Sequence, residues 1–159
     1  IAGATGTGPS SFSATLAVLL EEAVLAHIDN FNALLMTHFE DLFANGREVI
    51  VRIKKWDDWY EDLETEYGDD EEELGVLIED WMADNTVQGR FNTTDATENM
   101  MLFEQVRIPL YYERNGKQRA MDTRRFAKNL SKYLKDEFEI ISKVTTKGLG
   151  RATIYLGGK

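Results

Sequence analysis

The chain contains no cysteine among its 159 residues. This absence excludes disulfide bonds, cysteine-ligated zinc sites and a thiol nucleophile. It fits a reducing compartment, so we expect a cytoplasmic protein, or a virion component if the role is assembly. No apolar run approaches the ~18–20 residues that span a membrane, and the N-terminal stretch lacks the basic region of a signal peptide. We therefore expect no membrane partner.

Proline and histidine are also scarce. The two prolines, Pro9 and Pro109, leave most of the chain free to form long regular elements. His27 and His38 are eleven residues apart, which is ~16 Å along one helical face and too far for one metal ion. Both lie on an apolar stripe, so we expect core histidines, with a pH-sensing interface as the alternative. No catalytic constellation stands out, and we expect neither an enzyme nor a bound cofactor or metal.

Lysine and arginine are scarce in the first two thirds of the chain. Residues 1–104 contain 5 Lys or Arg against 23 Asp or Glu, whereas residues 105–159 contain 13 against 5. The net charge of −10 therefore conceals a basic C-terminal third. Because basic regions attract phosphates and acidic regions repel them, the segregation predicts that the two parts meet different partners.

Hydrophobic residues make up 43% of the chain, which is enough for a packed core. Residues 1–12 are small and glycine-rich and predict a flexible tail, since their GATGTGPSS stretch lacks the lysine of a phosphate loop. Residues 13–92 predict an acidic helical region with one short strand. Its predicted elements are one long helix over 13–44, or two helices with a break at Asp29-Asn30, then a strand over 48–53, and helices over 55–67 and 69–84.

Residues 93–159 predict a basic domain with a clear C-terminal end. A helix is expected over 94–105, and the segment 106–121 fits either a kinked helix, which we favour, or two strands around Asn115-Gly116. Asp122 or Thr123 caps a helix to about Lys135, and strands over 138–144 and 151–156 follow. The predicted fold class is α+β, with an acidic, mainly helical N-terminal part and a winged-helix-like C-terminal part.

The predicted helix after Asp122 carries a row of cations. Positions 124, 128, 132 and 135 recur near the helical period and form a row about 16 Å long. Two further cations flank the tip of the following hairpin. The predicted nucleic-acid site therefore comprises Arg124, Arg125, Lys128, Lys132, Lys147 and Arg151. A solvated basic surface and a surface for a protein partner are the alternatives.

The C-terminal third combines aromatic residues before an Asn-Gly turn, an Arg-Phe pair, a spaced leucine and a closing aromatic strand. The residues of this pattern are Tyr111, Tyr112, Asn115, Gly116, Arg125, Phe126, Leu130 and Tyr155. In this pattern the segment resembles the winged-helix segment of phage and mobile-element primase-helicases. The resemblance implies a non-enzymatic DNA-binding module of a phage or mobile-element replication protein, with duplex DNA as the favoured partner. It does not imply helicase activity, because no intact ATPase motif precedes the segment.

The acidic region supports a second hypothesis. Its acids between Asp57 and Glu73 fit a solvated face or a docking site for a basic partner, and GDDEEELG does not match a calcium loop. Trp56, Trp59 and Tyr60 are expected in the core, with an aromatic interface anchor as the alternative. The second hypothesis is a structural or assembly subunit of a virion or complex, in which opposite charges dock neighbouring copies.

Overall fold

A computed structural model describes residues 16–157, and the predicted flexible tail lies outside this range. The chain divides into two compact units, Ile1–Ala44 and Asn45–Lys159. The described part of the first unit is one helix, α1, which runs over Leu16–Asn45. It contains neither glycine nor proline, and it ends where Gly46 adopts a left-handed backbone with φ +75°.

Helix α1 differs from the predicted helix in its burial. None of its residues is buried. His27 and His38 are both exposed, so the expectation of core histidines is wrong. The helical period alone placed them on an apolar stripe, but that stripe is itself exposed. The most exposed large apolar side chains of the whole helix are Leu16, Leu20, Val24, Leu25, Met36 and Phe43.

The second unit is built on a five-stranded sheet in the order β4-β5-β1-β9-β8. Strands β1 and β9 are parallel, and the other neighbours are antiparallel. Two separate two-stranded hairpins, β2-β3 and β6-β7, complete the unit. The elements in chain order are β1 Arg47–Lys55, β2 Glu66–Tyr67, β3 Glu72–Glu73, α2 Leu74–Asn85, β4 Asn92–Ala96, β5 Met100–Ile108, β6 Tyr111–Arg114, β7 Lys117–Ala120, α3 Thr123–Phe138, β8 Ser142–Lys147 and β9 Arg151–Leu156.

One face of the sheet forms the core with α2 and α3. Alternate residues of the central strands are buried, as the period of two along a strand requires. The helices bury residues at helical spacing against the same cluster. The members at the centre of this cluster are Val51, Ile53, Ile154 and Leu156 from the sheet, Leu74, Ile78 and Met82 from α2, and Phe126, Leu130 and Leu134 from α3.

The α+β class is confirmed, with an acidic helix ahead of the sheet region. The helices predicted over 94–105 and 55–67 are wrong. Residues 94–105 belong to β4, β5 and the turn between them, because Met101, Phe103 and Val106 bury one strand face with a bulge at Gln105. Lys55 ends β1, and residues 56–67 form turns and β2. Trp59 is half-buried, whereas Trp56 is 44% and Tyr60 89% exposed. The core expectation for these last two aromatic residues is also wrong.

The segment after β5 forms two strands, so the favoured kinked helix is wrong and its alternative is right. Strands β6 and β7 pair around Asn115 and Gly116, which both have left-handed backbones with φ +54° and +72°. A two-residue turn of this kind matches the twist of an antiparallel hairpin.

The winged-helix-like arrangement predicted for residues 93–159 is replaced by a shared sheet. The predicted wing consists of β8 and β9, but β9 lies between β8 and β1. Its pairing with β1 joins residues about 100 positions apart, such as Ile53 with Ile154. The boundary predicted near Asn92 therefore falls inside one compact unit, Asn45–Lys159.

Candidate nucleic-acid interface

Helix α3 holds the predicted row of cations. It begins at Thr123, where the Asp122 carboxylate accepts a hydrogen bond of 2.6 Å from the Arg125 backbone N–H. Its apolar side is buried in the core, so the opposite side faces solvent. Arg124, Lys128 and Lys132 are exposed on that outer side, and Arg125 is half-buried at its flank. The helical spacing seen in the sequence therefore corresponds to a real surface row.

The β6-β7 hairpin adds cations that sequence reasoning missed. Tyr112 pairs across the hairpin with Arg119, and Arg114 pairs with Lys117. Residues two apart along a strand share a face, so all four side chains lie on one face of the hairpin. The signal was present in YYERNGKQRA, because alternation around the Asn-Gly turn places its three cations together.

A cation–π contact joins this hairpin to α3. The Arg125 guanidinium carbon lies 5.3 Å from the centre of the Tyr112 ring. The cation-bearing face of the hairpin is therefore the face next to the first turn of α3. We name the combined surface the hairpin–helix surface, and its cations are Arg114, Lys117, Arg119, Arg124, Arg125, Lys128 and Lys132.

Carboxylates neutralise little of the positive charge on the hairpin–helix surface. Among residues 16–157, one of its seven cations forms an ion pair, at 3.9 Å between Lys132 and Asp136. Both partners are largely exposed, so this pair contributes about 1 kcal/mol or less. Glu113 belongs to the opposite face of the hairpin by alternation. The remaining cations form a concentrated positive potential that a polyanion would neutralise.

The flank of α3 that faces α2 has the opposite character. Burial raises the pKa of the Tyr133 phenol, and the carboxylates of Glu137, Asp80 and Asp84 raise it further. The last two residues belong to α2, so acids lie beside this flank of α3. The positive charge of α3 is therefore concentrated on the side that faces the β6-β7 hairpin.

The structure separates the other two predicted residues from this surface. Lys147 and Arg151 are partners across the β8-β9 hairpin. Arg151 directly precedes the buried Ala152 on β9. Their side chains therefore belong to the sheet face opposite α2 and α3. The Thr123 hydroxyl donates a 2.5 Å hydrogen bond to the Leu149 carbonyl, which ties the tip of that hairpin to the start of α3. The six predicted residues thus form two groups on opposite sides of the sheet.

A metal site is not seen in the part of the chain that the structure describes, where no group of three or more histidine or acidic side chains converges. Within the same range, no helix is both long enough and apolar enough to cross a membrane.

Comparisons with known proteins bear on the second unit. A family model described as a domain of unknown function (DUF6175) matches residues 47–157, which include the whole sheet with α2 and α3. No curated protein and no solved structure matches the chain. The resemblance to a primase-helicase segment is not tested by these comparisons and stays a prediction.

Proposed function

We propose that this chain, which belongs to the DUF6175 family of domains of unknown function, is a non-enzymatic DNA-binding module whose hairpin–helix surface holds duplex DNA. The observation that carries the proposal is the convergence of seven cations from two adjoining elements with a single weak ion pair among them in the described chain. The sequence resemblance places such a module in a phage or mobile-element replication protein, and this context is part of the proposal.

The shapes of the two elements support a duplex ligand. The major groove of B-DNA is ~12 Å wide and admits either an α-helix or a two-stranded ribbon. Helix α3 offers a row of cations, and the β6-β7 hairpin offers a ribbon with cations on one face. Contacts from lysine and arginine to phosphates supply affinity without sequence preference, and the arginines are suited to guanine edges.

A pair of charge-matched double variants tests this site. Arg124→Gln with Lys128→Gln removes two cations from the outer side of α3, where both side chains are exposed. We expect weaker binding to every duplex sequence, and a salt slope smaller by about 2, because each lost phosphate contact lowers it by about 0.9. The measurement is fluorescence anisotropy of a labelled duplex across a salt series.

The control is Lys143→Gln with Lys147→Gln, which removes the same charge from exposed positions on β8. Duplex affinity should change much less in this control than in the α3 variant. Equal losses in both would mean that total charge alone attracts DNA, and the assigned surface would be wrong.

Helix α1 favours a second candidate function, assembly through protein–protein contacts. None of its residues is buried, and Leu16–Asn45 contains acidic residues but no lysine or arginine. Large exposed apolar surfaces are typical of protein interaction sites. In this proposal a second copy of the chain covers the apolar side of α1, and the prediction for this helix appears below.

A further inference from the structure

The sheet face opposite α2 and α3 carries its own set of cations. Along β1, the buried residues Val51 and Ile53 alternate with Ile50, Arg52 and Lys54, which belong to the other face. The same alternation in β8 and β9 adds three cations. The five cations of this open sheet face are Arg52, Lys54, Lys143, Lys147 and Arg151. Within residues 16–157, none of them forms a salt bridge with a carboxylate.

The strand registers arrange this face as a grid of three rows. One outer row contains Lys54 and Lys143 on either side of Tyr155. The other outer row, about 13–14 Å away, contains Arg151 and Lys147. The middle row contains Arg52 and two hydroxyl side chains, Thr153 and Thr145. Phosphate oxygens accept hydrogen bonds from both kinds of group.

A cavity of about 340 Å³ lies on this face. Its lining includes Arg52, Lys147, Arg151, Thr145, Thr153 and Tyr155. Its volume falls within the ~300–1,000 Å³ of ligand pockets. Glu104 of β5 also lines the cavity. Negative charge therefore lies on the β5 side of the cavity, and the cations lie on the side formed by β1, β8 and β9.

Tyr155, which lines the cavity, forms an aromatic pair with Trp56. The rings of Trp56 and Tyr155 meet edge to face, with centroids 5.8 Å apart and planes at 83°. Trp56 is 44% exposed although it is a large aromatic residue. An aromatic surface with cations on both sides, here Lys54 and Lys143, combines the two features that bind unpaired bases and their phosphates.

We propose that the open sheet face is a separate binding site for single-stranded nucleic acid, with phosphates on its five cations and a base stacked on the Trp56–Tyr155 pair. In a duplex the bases are already stacked and paired, so they are not available to these rings. A single strand presents bases and phosphates together. The site is independent of the hairpin–helix surface, since the two occupy opposite faces of the sheet.

The test uses the full chain and two labelled probes, an oligo(dT) strand and a duplex of matched length. Tyr155→Leu removes the ring and leaves the charge of the site unchanged. We expect its affinity for oligo(dT) to fall roughly five- to hundredfold, the range for one stacked base, while its duplex affinity stays the same. Trp56→Leu provides a second variant at a more exposed position, so a folding defect in one variant does not decide the result.

Two further variants separate this proposal from the proposed function. Arg52→Gln with Lys147→Gln should weaken oligo(dT) binding, whereas Arg124→Gln with Lys128→Gln on α3 should weaken duplex binding alone. Both sites are supported if the α3 variant alone loses duplex binding and still binds oligo(dT) like the unaltered protein. If the duplex result fails while the oligo(dT) result holds, the open sheet face stands without the proposed function.

Inorganic polyphosphate, which has phosphates but no bases, serves as the competitor. Oligo(dT) binding that survives in both aromatic variants and is displaced equally well by polyphosphate would overturn the proposal, because the face would then recognise charge alone. The proposal is supported if, at the same polyphosphate concentration, the unaltered protein retains more oligo(dT) than the aromatic variants do.

Discussion

Gly46 and Gly116 have similar left-handed backbones, with φ +75° and +72°, but different surroundings. A Cβ atom added at Gly46 would lie 2.3 Å from the Ile108 carbonyl oxygen, whereas one added at Gly116 would meet nothing within 4 Å. The turn at Gly116 therefore requires glycine for its backbone conformation only. The residue at position 46 must in addition leave room for the end of β5.

Alanine substitutions should reveal this difference. Gly116→Ala should lower the free energy of unfolding by about 1 kcal/mol, the cost of a left-handed backbone for a residue with a Cβ. Gly46→Ala should lower it by about 2–5 kcal/mol, because the steric conflict with a backbone atom adds to that cost. Urea unfolding of both variants measures the two losses. Equal losses would contradict the close contact at Gly46.

Tyr67 makes stability depend on pH in the alkaline range. Burial raises the pKa of its phenol, and the hydrogen bond that it donates to the Glu61 carboxylate raises it further. In the unfolded chain a tyrosine ionises near pH 10, whereas the folded protein retains the proton above that pH. The stabilisation is therefore complete below about pH 10 and is lost as the pH rises further.

The variant Tyr67→Phe should reduce this pH dependence. Its free energy of unfolding in urea should fall less between about pH 8 and about pH 11 than that of the unaltered protein, because the group that ionises only on unfolding is gone. Tyr60→Phe is the matched control, since that ring is 89% exposed and Tyr67 is the donor to Glu61. Identical slopes in the two variants would be inconsistent with the role of Tyr67.

At the scale of elements, α3 has a buried apolar side and an exposed basic side. Leu130 is fully buried against the sheet, whereas Lys128 is exposed on the outer side. We expect Leu130→Ala to cost about 2–5 kcal/mol of stability, through lost burial and a cavity. Lys128→Ala should change stability by no more than about 0.5 kcal/mol. Thermal unfolding distinguishes the two, and a large loss in Lys128→Ala would mean that the cation row is structural.

Helix α1 should contribute to association rather than to the stability of the sheet unit. Val24→Ser with Phe31→Ser replaces two exposed apolar side chains on its apolar side. We expect the mass in solution to decrease relative to the unaltered protein, with an unchanged unfolding midpoint for the sheet unit. Sedimentation at several concentrations measures the mass.

The matched control for α1 is Glu22→Gln with Glu40→Gln, which alters two exposed residues on its polar side. This control should retain the mass of the unaltered protein. If the apolar double variant also retains that mass, a second copy does not cover α1 and the assembly proposal fails.

At the scale of the whole molecule, the acidic segment should tune DNA binding from a distance. Asp69, Asp70, Glu71 and Glu72 are exposed and lie in the same unit as the cations. Neutralising all four with Asn or Gln should raise duplex affinity at low salt, since like charge would no longer repel phosphates. The gain should vanish near 1 M salt, where the screening length falls to about 3 Å.

Anisotropy of a labelled duplex at low and high salt measures the effect of that variant. A gain that persisted at high salt would indicate a direct contact instead of long-range repulsion. Neutralisation within the whole chain is the appropriate design. A fragment of residues 93–159 would remove β1, which pairs with both β5 and β9 in the centre of the sheet.

Local patterns in the sequence determined several features that the structure retains. Asp122 caps α3, because a short acidic side chain before an amphipathic run satisfies the first backbone N–H groups. The alternation in residues 151–156 marks β9, and the cations of α3 lie on one side. The misassigned stretch 94–105 shows the limit of such patterns, since its apolar residues fit a helical and a strand period until their burial is known.

Tertiary structure alone decided which surfaces these elements form. The insertion of β9 beside β1 depends on complementary faces of strands about 100 residues apart, and no local pattern encodes that pairing. It places Lys147 and Arg151 on the sheet face opposite α3, whereas the Arg125–Tyr112 contact brings the β6-β7 hairpin to the helix. Composition and periodicity therefore determined the charges, the three helices α1, α2 and α3 and the strands β1 and β9, and long-range packing decided which charges meet.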